Sequence, residues 1–500
     1  MVRRVIRLAG TDPSSVAALE RRFAAIRARL GVDEAFPPAV LAAAKEAART
    51  PRMPPADLTE IPFVTVDPPG STDLDQAMAL SRRGAGYHLD YAIADVPAFV
   101  AVQGPVDLEA RRRGQTLYAP DRRIPLHPPV LSEGAASLLP GEVRPAFVWR
   151  FDLDADGEVQ TADVVCATIR SRRRLDYDQV QAAADAVSEG APEPADDVAR
   201  QAVLLREVGV RRMALEAARG GATLPLPEQE VAAWNGRYRL TLRPAVSAED
   251  WNAQLSLLTG MTAAALMLKA GVGLLRTLPP PDAGLVERFR RQAEALGVPW
   301  PVQESLGTLL RRLRREVPNE LALMHEAGTL FRGAGYVPLL PGRPQPPLTT
   351  HAAVAAPYAH VTAPLRRLVD RFGLVACEAL ARGIEVPDWV VAGLPALPAA
   401  MSTSDQMAGQ LERACTDVVE AAVLGHRVGE EFDAVVVDLN SAGGKVQVID
   451  PAVVAPCSGV LTLGERLRVR LESADLDTGA VLFSALGVAE LEHDRRGTPA

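Results

Sequence analysis

Three aspartates within one short segment have the residue type and spacing of a metal site. Asp67, Asp73 and Asp75 lie in VDPPGSTDLDQ, directly after the apolar run IPFVTV. The turn at 68–70 should reverse the chain, and two residues spaced by two point to one side of an extended segment. Converging carboxylates repel one another unless a divalent cation or an arginine neutralises them. The spacing leaves two interpretations open: a metal site, or a polar loop in which Asp73 or Asp75 caps the next element.

A second segment, YAHVTAPLRRLVD, has the residues of an anion site. Thr362 can cap a helix that begins at Pro364, the favoured first helical position. Arg366 and Arg367 would then lie in the first turn, where the helix dipole disfavours cations unless an anion is bound. A phosphate is such an anion, because guanidinium binds it through two hydrogen bonds. The alternative is an arginine that pairs with Asp370 on a surface helix.

A third acidic segment is similar to a calcium-binding loop. Asp152, Asp154, Asp156 and Gly157, followed by Asp163, nearly match the EF-hand spacing, except that Asp stands where the loop has a bidentate Glu. Both flanks have the pattern of strands rather than helices, and DADG is a common hairpin turn. The sequence therefore favours a hairpin over a calcium site.

Composition and charge narrow the classes of protein. The 500 residues are 48% hydrophobic and 23% charged, which excludes a wholly disordered or collagen-like chain. The four cysteines form no CxxC pair and the seven histidines no HExxH spacing, so we expect neither a zinc site nor a disulfide framework. Any metal would be bound by carboxylates, which favours magnesium or manganese.

The sequence contains no recognisable targeting or membrane segment. Arginines interrupt the N-terminal MVRRVIRL, and the longest apolar run, residues 255–268, is too short to span a bilayer and predicts a buried helix. We expect a cytoplasmic protein that contacts no membrane. The net charge of −8 argues against a nucleic-acid partner unless a locally basic channel overrides it.

The surrounding pattern predicts a multidomain α+β protein. Residues 1–55 form a small N-terminal helical module, for which a helix-turn-helix arrangement is one interpretation. Residues 56–427 begin with strands and continue mainly as helices after about residue 177, forming the domain that holds both candidate sites. Residues 428–492 form a third domain, and 493–500 form a tail.

Five short strands are predicted in the third domain. Turn residues separate them, and the third strand is predicted at Ser458–Leu461, after a turn at Pro451–Pro456. Five short strands in about 60 residues are typical of a small OB-type barrel.

These segments together resemble the ribonuclease II (RNB) family of 3′→5′ exoribonucleases. IPFVTVDPPGSTDLDQ is similar to the family's acidic motif, YAIADV to its following strand and TLYAPDRRIPLHPPVLSEGAASLLPGEVRPAF to its next block. YAHVTAPLRRLVD is similar to its Thr-Ser-Pro-Ile-Arg-Arg motif, and the C-terminal barrel resembles an S1 domain. The resemblance covers about residues 56–490, in the family's order.

The resemblance implies a magnesium-dependent hydrolase, with manganese as an alternative, that degrades single-stranded RNA to nucleoside 5′-monophosphates. Asp67 would be a metal ligand, together with Asp75 and Gln76. Asp73 would support the metal and its waters, and Asp75 would also position or activate the attacking water. Arg366 would stabilise charge on the scissile phosphate. We expect the protein to act as a monomer.

The resemblance also implies a set of RNA contacts. Tyr118 would stack on a base near the 3′ end; from spacing alone, a core tyrosine is the alternative. The other predicted contacts are Gln254, Tyr358, His360, Thr362 and Arg367.

The sequence departs from the family pattern at several points. Gln76 stands where the family usually has a fourth acid, Gln254 stands at a glutamate position, and Ala363 replaces the serine of the arginine motif. The paired cold-shock barrels that often precede the catalytic domain cannot fit in residues 1–55. These departures keep open a second hypothesis, a non-catalytic RNA-binding relative whose metal site has decayed.

Overall fold

The computed structural model describes residues 6–10, 13–188, 194–222, 224, 228–234, 237–243, 246–314, 317–440, 443–451 and 453–486. The strands are β1 (Ile6–Gly10), β2 (Ala56–Asp57), β3 (Phe63–Val66), β4 (Gln76–Arg83), β5 (Gly86–Ala94), β6 (Leu117–Tyr118), β7 (Arg123–Ile124), β8 (Val143–Leu153), β9 (Val159–Leu175), β10 (Glu228–Trp234), β11 (Arg237–Arg243), β12 (Gly273–Thr277), β13 (Gly335–Leu339), β14 (Thr350–His351), β15 (Ala356–Pro357), β16 (Glu431–Asn440), β17 (Gly443–Val448), β18 (Val453–Ser458), β19 (Arg466–Asp475) and β20 (Ala480–Ala485). The helices are α1 (Pro13–Arg29), α2 (Pro38–Arg49), α3 (Pro105–Arg113), α4 (Tyr177–Asp185), α5 (Asp197–Arg219), α6 (Ser247–Ala270), α7 (Ala283–Ala295), α8 (Leu306–Arg312), α9 (Pro318–Ala327), α10 (Leu368–Ala381), α11 (Asp388–Gly393) and α12 (Leu397–Leu424).

Strand β9 ties the central sheet together. Most of its length pairs antiparallel with β8, whereas its end pairs parallel with β3. The strand order is β2-β9-β3-β4-β5-β8. Because β8 also pairs with β9, the last strand of this order returns to the second. Val66, at the end of β3, lies beside Leu175, and the Asp67 N–H donates to the Leu175 carbonyl at 3.1 Å. The acidic loop therefore leaves the sheet from a fixed point.

Both faces of this sheet are buried. On β5, Tyr91 and Ile93 pack against α5 and α6, whereas Ala92 and Ala94 belong to the core that includes α2. This alternation follows from the two-residue period of a strand. Large side chains fill the space under the long helices, and alanines allow α2 to approach the other face.

Helix α6 is the predicted buried helix. By length and composition it is apolar enough to cross a membrane, but Leu255, Leu258 and Met267 lie in the largest hydrophobic core. It packs on α5 and α10, as a core helix does. The sequence predicts mainly helices after residue 177. The structure adds β10 to β15 in this region, pairing β10 with β11, β12 with β13 and β14 with β15.

The C-terminal strands form a closed barrel of order β16-β17-β18-β20-β19. The prediction of a five-stranded barrel is confirmed, but its third strand is β18, not Ser458–Leu461. The alternating burial of VVAPCS explains this, since Val453, Ala455 and Cys457 belong to the barrel core and Pro456 is exposed. Ala421 and Leu424 of α12 belong to the barrel core. The predicted tail at 493–500 lies outside the described residues.

The N-terminal region does not form a helix-turn-helix in the structure. Leu19 and Phe23 of α1 pack with side chains of α12, whereas Val40 and Ala44 of α2 pack with the central sheet. In addition, β1 pairs with β10, which lies more than 200 residues later in the chain. The two helices therefore belong to different cores, one shared with α12 and the other with the central sheet.

Arg27 ties α1 to the hairpin formed by β6 and β7. Its side chain is 1% exposed; Nη1 donates to Asp121 at 2.7 Å and Nε donates to Glu34 at 2.8 Å. Asp121 is also 1% exposed and stands in the turn between the two strands. Arg122 of the same turn donates to Glu34 at 3.0 Å. A buried ion pair thus fixes the hairpin to the N-terminal helix.

We expect Arg27→Met to lower the free energy of unfolding by about 3–5 kcal/mol, because the buried Asp121 carboxylate loses its buried cation and keeps only the exposed Arg122 as a partner. Arg29→Met, on the exposed side of the same helix, should change it by less than about 0.5 kcal/mol. Urea unfolding followed by far-UV circular dichroism measures both. Equal midpoints for the two variants would contradict the assigned role of Arg27.

Candidate functional site

The acidic loop runs from β3 to β4. Gly70 adopts a φ of +80°, and the Ser71 N–H donates to the Pro68 carbonyl at 3.1 Å, which closes the predicted turn. Leu74 is fully buried, and its N–H donates to Ser137 Oγ at 2.9 Å. Asp73 and Asp75 flank this buried side chain. The loop therefore presents the two carboxylates near one another, as their spacing predicts.

The arginine segment is a turn that precedes α10, not the first turn of a helix. Helix α10 begins at Leu368, and the Arg366 and Arg367 N–H groups both donate to the Ala363 carbonyl. Thr362 therefore does not cap a helix beginning at Pro364, and the predicted helix start is wrong.

Hydrogen bonds to a distant segment explain the later helix start. The Thr116 N–H donates to the Arg366 carbonyl at 2.9 Å, and the Leu368 N–H donates to the Gly114 carbonyl at 3.0 Å. These bonds hold Arg367 in an extended conformation with φ −134°. A residue in that conformation cannot continue a helix.

The two arginines have different partners. Arg367 pairs with Asp370 through two hydrogen bonds, at 2.7 and 2.8 Å, and Asp370 also accepts from the Ala363 N–H at 2.7 Å. Because Asp370 is fully buried, this is an internal ion pair that shapes the turn, not a surface pair. Arg366 does not pair with Asp370. It remains 40% exposed, which leaves its guanidinium accessible to an anion.

Asp75 joins the acidic loop to the arginine turn. Its Oδ1 accepts from the Leu365 N–H at 2.8 Å, and its Oδ2 lies 3.5 Å from Arg366 Nε. Two segments 290 residues apart in the sequence therefore meet at one carboxylate. The structure brings Asp67, Asp75 and Arg366 together, as the resemblance implies.

Burial raises the pKa of both central carboxyl groups. The pKa of Asp75 rises to about 8, although the Arg366 charge and the Leu365 N–H oppose the rise. The pKa of Asp67 rises to about 7, because burial is reinforced by the negative charge of Asp73. Within the protein, neither carboxylate has enough positive charge nearby to offset the cost of burying its negative charge.

The chemistry of these two carboxylates fits a divalent cation. Oδ2 of Asp67 is buried and has no hydrogen-bond partner. Across the residues with described positions, no three His, Cys, Asp or Glu side chains are arranged to hold a metal ion. Magnesium, however, is usually held in proteins by only one or two carboxylates, with water or substrate oxygens completing its coordination. Asp67 and Asp75 are the residues that fit such an ion.

Asp73 has a different environment from its two neighbours. Arg123 of β7 donates to Asp73 Oδ1 through Nη1 and to Thr72 Oγ1 through Nη2, the latter at 2.5 Å. Arg123 Nη2 also lies 3.1 Å from Glu133 Oε1. Arg123 and Glu133 are site residues that were not predicted from the sequence. The charge run PDRR was the available signal, but an arginine run does not show which carboxylate it will meet.

Tyr118 is the most accessible aromatic side chain of the site. It is 46% exposed on β6. Burial around its hydroxyl raises the pKa of that group, on which the charges of Arg366, Asp73 and Asp75 also act. A partly exposed ring beside these groups can stack on a base. The alternative of a core tyrosine is therefore wrong.

Gln76 was predicted to be a metal ligand, but its side-chain amide forms hydrogen bonds within the protein instead. Its Oε1 accepts from the Tyr91 hydroxyl at 2.6 Å and lies 3.3 Å from Ser256 Oγ, while its Nε2 donates to the Thr362 carbonyl at 2.7 Å. An amide oxygen accepts two hydrogen bonds, so both acceptor positions are in use. In this geometry Gln76 ties β4 to the arginine turn and is not placed as a cation ligand.

Gln254 is buried within the helical layer rather than presented to a ligand. Its Nε2 donates to Glu216 Oε2 at 2.6 Å, which links α6 to α5. A glutamate at this position would face Glu216 with a second negative charge. The predicted RNA contact by Gln254 therefore does not match its place in the structure.

Three further predicted RNA contacts lie beneath the arginine turn. Tyr358 is buried at the edge of the His360 ring, with centroids 5.4 Å apart, and His360 Nδ1 bonds to the Tyr336 hydroxyl at 2.7 Å. Thr362 is also buried. The structure thus gives Tyr358, His360 and Thr362 a supporting position, as it does Arg367, while Tyr118 and Arg366 are accessible.

The EF-hand-like segment is the hairpin turn between β8 and β9. Asp154 Oδ1 accepts from the Asp156 and Glu158 N–H groups at 3.0 and 2.9 Å. Asp152 accepts from Arg83 and from Thr161 Oγ1. Asp154 is thus engaged by the turn itself, and Asp152 by the hairpin and by Arg83 of β4, which agrees with the favoured interpretation.

Comparisons with protein families agree with these motifs. A family model described as the RNB domain matches residues 56–374, more than half of the chain. A second model, described as the RNase II-type exonuclease C-terminal S1 domain, matches residues 430–486.

Several curated proteins are similar in sequence. Exoribonuclease 2 of Edwardsiella piscicida is 27% identical over 456 residues, which cover 85% of this chain and 66% of that protein. Exosome complex exonuclease RRP44 homolog A of Arabidopsis thaliana is 29% identical over 325 residues, which cover 63% of this chain and 34% of that protein. Exoribonuclease 2 of Serratia proteamaculans is 38% identical over 160 residues, covering 31% and 24%. The chain thus spans less than two thirds of these relatives' lengths.

Solved structures share the fold. The apo form of Mycoplasma genitalium RNase R has a TM-score of 0.79 at 20% identity, covering 94% of this chain and 78% of that one. Yeast Ssd1, described as a pseudonuclease, has a TM-score of 0.60 at 17% identity, covering 83% of this chain and 50% of that one.

The raised pKa of Asp67 predicts a pH-dependent stability for the metal-free protein. The folded-state pKa of about 7 exceeds the ordinary value of 3.8, so the folded protein retains a proton that the unfolded chain releases. The resulting stability is complete below pH 4 and is lost as the pH rises through about 7. We expect thermal unfolding in chelator to show this loss, and Asp67→Asn to reduce it.

Asp95 provides a matched control, because burial also raises its pKa to about 7 but its charged neighbours are Arg52 and Glu378. Magnesium should restore stability at pH 8 in wild type and Asp95→Asn, but much less in Asp67→Asn. Equal restoration in all three proteins would place the cation elsewhere.

Proposed function

The chain belongs to the RNB-domain family, and on that premise we propose that it is a divalent-metal-dependent exoribonuclease that hydrolyses single-stranded RNA from its 3′ end to nucleoside 5′-monophosphates. The observation that carries the proposal is the meeting of the acidic loop and the arginine turn at Asp75. It places buried carboxylates beside an accessible guanidinium. Exoribonuclease homologues support the class of activity.

Asp75 is the residue best placed to act on the attacking water. The Leu365 N–H fixes one carboxylate oxygen, and the other faces Arg366. A carboxylate held in this way can orient a water and accept its proton, provided that nearby positive charge keeps it ionised near neutral pH.

Arg366 and Tyr118 would position the RNA end. The guanidinium of Arg366 can bind the scissile phosphate and stabilise the negative charge that develops on it in the transition state. Tyr118 can stack on a base, which fixes the nucleotide that is removed. Both side chains belong to segments that meet through the Thr116 N–H to Arg366 carbonyl bond, so their separation is set by the backbone.

We propose Mg²⁺ as the resident cation, with Mn²⁺ as an alternative, held by Asp67 and Asp75. When bound, it supplies positive charge at the phosphate and lowers the pKa of a bound water. Asp73 already pairs with Arg123, so it would act on the site mainly through its charge.

The proposal extends to the barrel and to the cellular setting. The barrel would bind the upstream part of the RNA, as its match to an S1 domain suggests. Mycoplasma genitalium RNase R, a structural neighbour, has been solved with single-stranded and double-stranded RNA.

We also propose that the protein acts as a monomer in the cytoplasm, where its four unpaired cysteines would remain reduced.

A second candidate function is RNA binding without hydrolysis. Gln76 and Gln254, at two acidic positions of the family, are engaged in hydrogen bonds within the protein. Yeast Ssd1, a pseudonuclease, shares the fold, and a protein of Arabidopsis thaliana described as inactive exonuclease DIS3L2 is 29% identical over 358 residues. The accessible Arg366 beside Asp75 favours the enzyme.

We expect Asp75→Asn to reduce hydrolysis of a single-stranded oligoribonucleotide by at least about a thousandfold, because it removes the carboxylate that acts on water. RNA affinity should stay within a few-fold of wild type, since phosphate and stacking contacts supply it. Single-turnover cleavage and fluorescence anisotropy measure the two quantities. A wild type that binds RNA without any cleavage would support the second candidate instead.

Tyr118→Ala should weaken binding of a short oligoribonucleotide by about 1–3 kcal/mol, because one base loses its stacking partner. Tyr118→Phe should bind nearly as wild type, since it keeps the ring. Both are compared in the Asp75→Asn background, where the RNA stays intact. A phenylalanine variant as weak as the alanine variant would assign the affinity to the hydroxyl rather than to stacking.

A further inference from the structure

Arg123 lies beside the acidic cluster, which consists of Asp67, Asp73 and Asp75. It stands on β7 directly opposite Tyr118 of β6, and its side chain is 28% exposed. Its guanidinium contacts Asp73, Thr72 and Glu133. Its guanidinium therefore places a positive charge directly beside Asp73.

The three aspartates of the cluster differ in how they are neutralised. Asp73 makes a close, direct contact with a guanidinium. Asp75 lies 3.5 Å from Arg366, and Asp67 has a buried oxygen with no partner. A divalent cation held by Asp67 and Asp75 would also gain from the negative charge of Asp73 if that side chain were free. The pair with Arg123 removes much of that gain, since one carboxylate cannot fully satisfy both cations.

We propose that Arg123 is an internal counter-ion that competes with the divalent cation for the charge of Asp73 and thereby sets the cation affinity of the site. The inference rests on the proposed function, because it takes a cation at Asp67 and Asp75 as given. Arg123 is a positioning residue in this account, since it acts on the cation through Asp73.

Glu133 gives the proposal a second, opposite consequence. Its Oε1 lies 3.1 Å from Arg123 Nη2, so it shares the guanidinium with Asp73. Glu133→Gln would leave Arg123 to Asp73 alone and should weaken cation binding. Arg123→Met would free Asp73 and should strengthen it. Two substitutions that both disturb the same contact are therefore expected to change the affinity in opposite directions.

Direct Mn²⁺ binding tests the proposal without relying on activity. The free ion is titrated into the full-length protein and followed by its electron paramagnetic resonance signal. We expect Arg123→Met to bind Mn²⁺ about tenfold more tightly than wild type, which corresponds to about 1.4 kcal/mol. Arg123→Lys, which keeps the positive charge near Asp73, should bind within about threefold of wild type, and Glu133→Gln should bind more weakly.

Arg122→Met is the matched control, since Arg122 stands next to Arg123 but pairs with Glu34 and Asp121. It should leave Mn²⁺ affinity unchanged. Unchanged or weaker binding by Arg123→Met would overturn the proposal, as would a lysine variant that binds as tightly as the methionine variant.

Asp67→Asn separates this failure from failure of the proposed function. Loss of Mn²⁺ binding in Asp67→Asn shows that the titration reports on this site. If wild type and Asp67→Asn bind equally, no cation is held there, and both the metal-dependent function and the role of Arg123 fail. If only Arg123→Met departs from expectation, the function stands and the counter-ion role is overturned.

Discussion

One hydrogen bond, from the Leu365 N–H to Asp75 Oδ1, connects the two halves of the candidate site. Without it, the acidic loop after β3 and the turn before α10 would have no fixed relation. The bond also orients the carboxylate, so its other oxygen faces Arg366. Gln76 and the Thr362 carbonyl make a second bridge between the same segments. The relative positions of Asp75 and Arg366 therefore depend on hydrogen bonds between side chains of the acidic loop and β4 and the backbone of the arginine turn.

The turn that carries Arg366 has its shape imposed from outside. Bonds from residues 114–116 hold its backbone extended, and buried Asp370 binds both the Ala363 N–H and Arg367. Arg366 is thereby left accessible while its neighbour is buried. The β6–β7 hairpin is fixed in a comparable way, by the ion pair between Arg27 and Asp121. The N-terminal helix thus supports the strand that presents Tyr118.

Features that depend on local pattern were predictable from the sequence, and features that depend on distant partners were not. The apolar run before Asp67 identified β3, and the turn residues that separate five short strand segments identified the five-stranded barrel, although the third strand was misplaced. The helix start at Pro364 followed local preference, but the bonds to residues 114–116 override it. No local rule distinguishes Arg366 from Arg367, or shows that Gln254 meets Glu216. Pairings across hundreds of residues require the folded chain.

We propose that these residues release nucleotides one at a time from the 3′ end of RNA. The most direct measurement is a time course with the same oligoribonucleotide labelled at its 3′ end or at its 5′ end, with Mg²⁺ or with chelator. We expect the 3′ label to appear immediately as a mononucleotide and the 5′ label to pass through progressively shorter fragments, and we expect chelator to stop both. RNA that stays intact in Mg²⁺, or that is cut internally without early mononucleotide release, would contradict it.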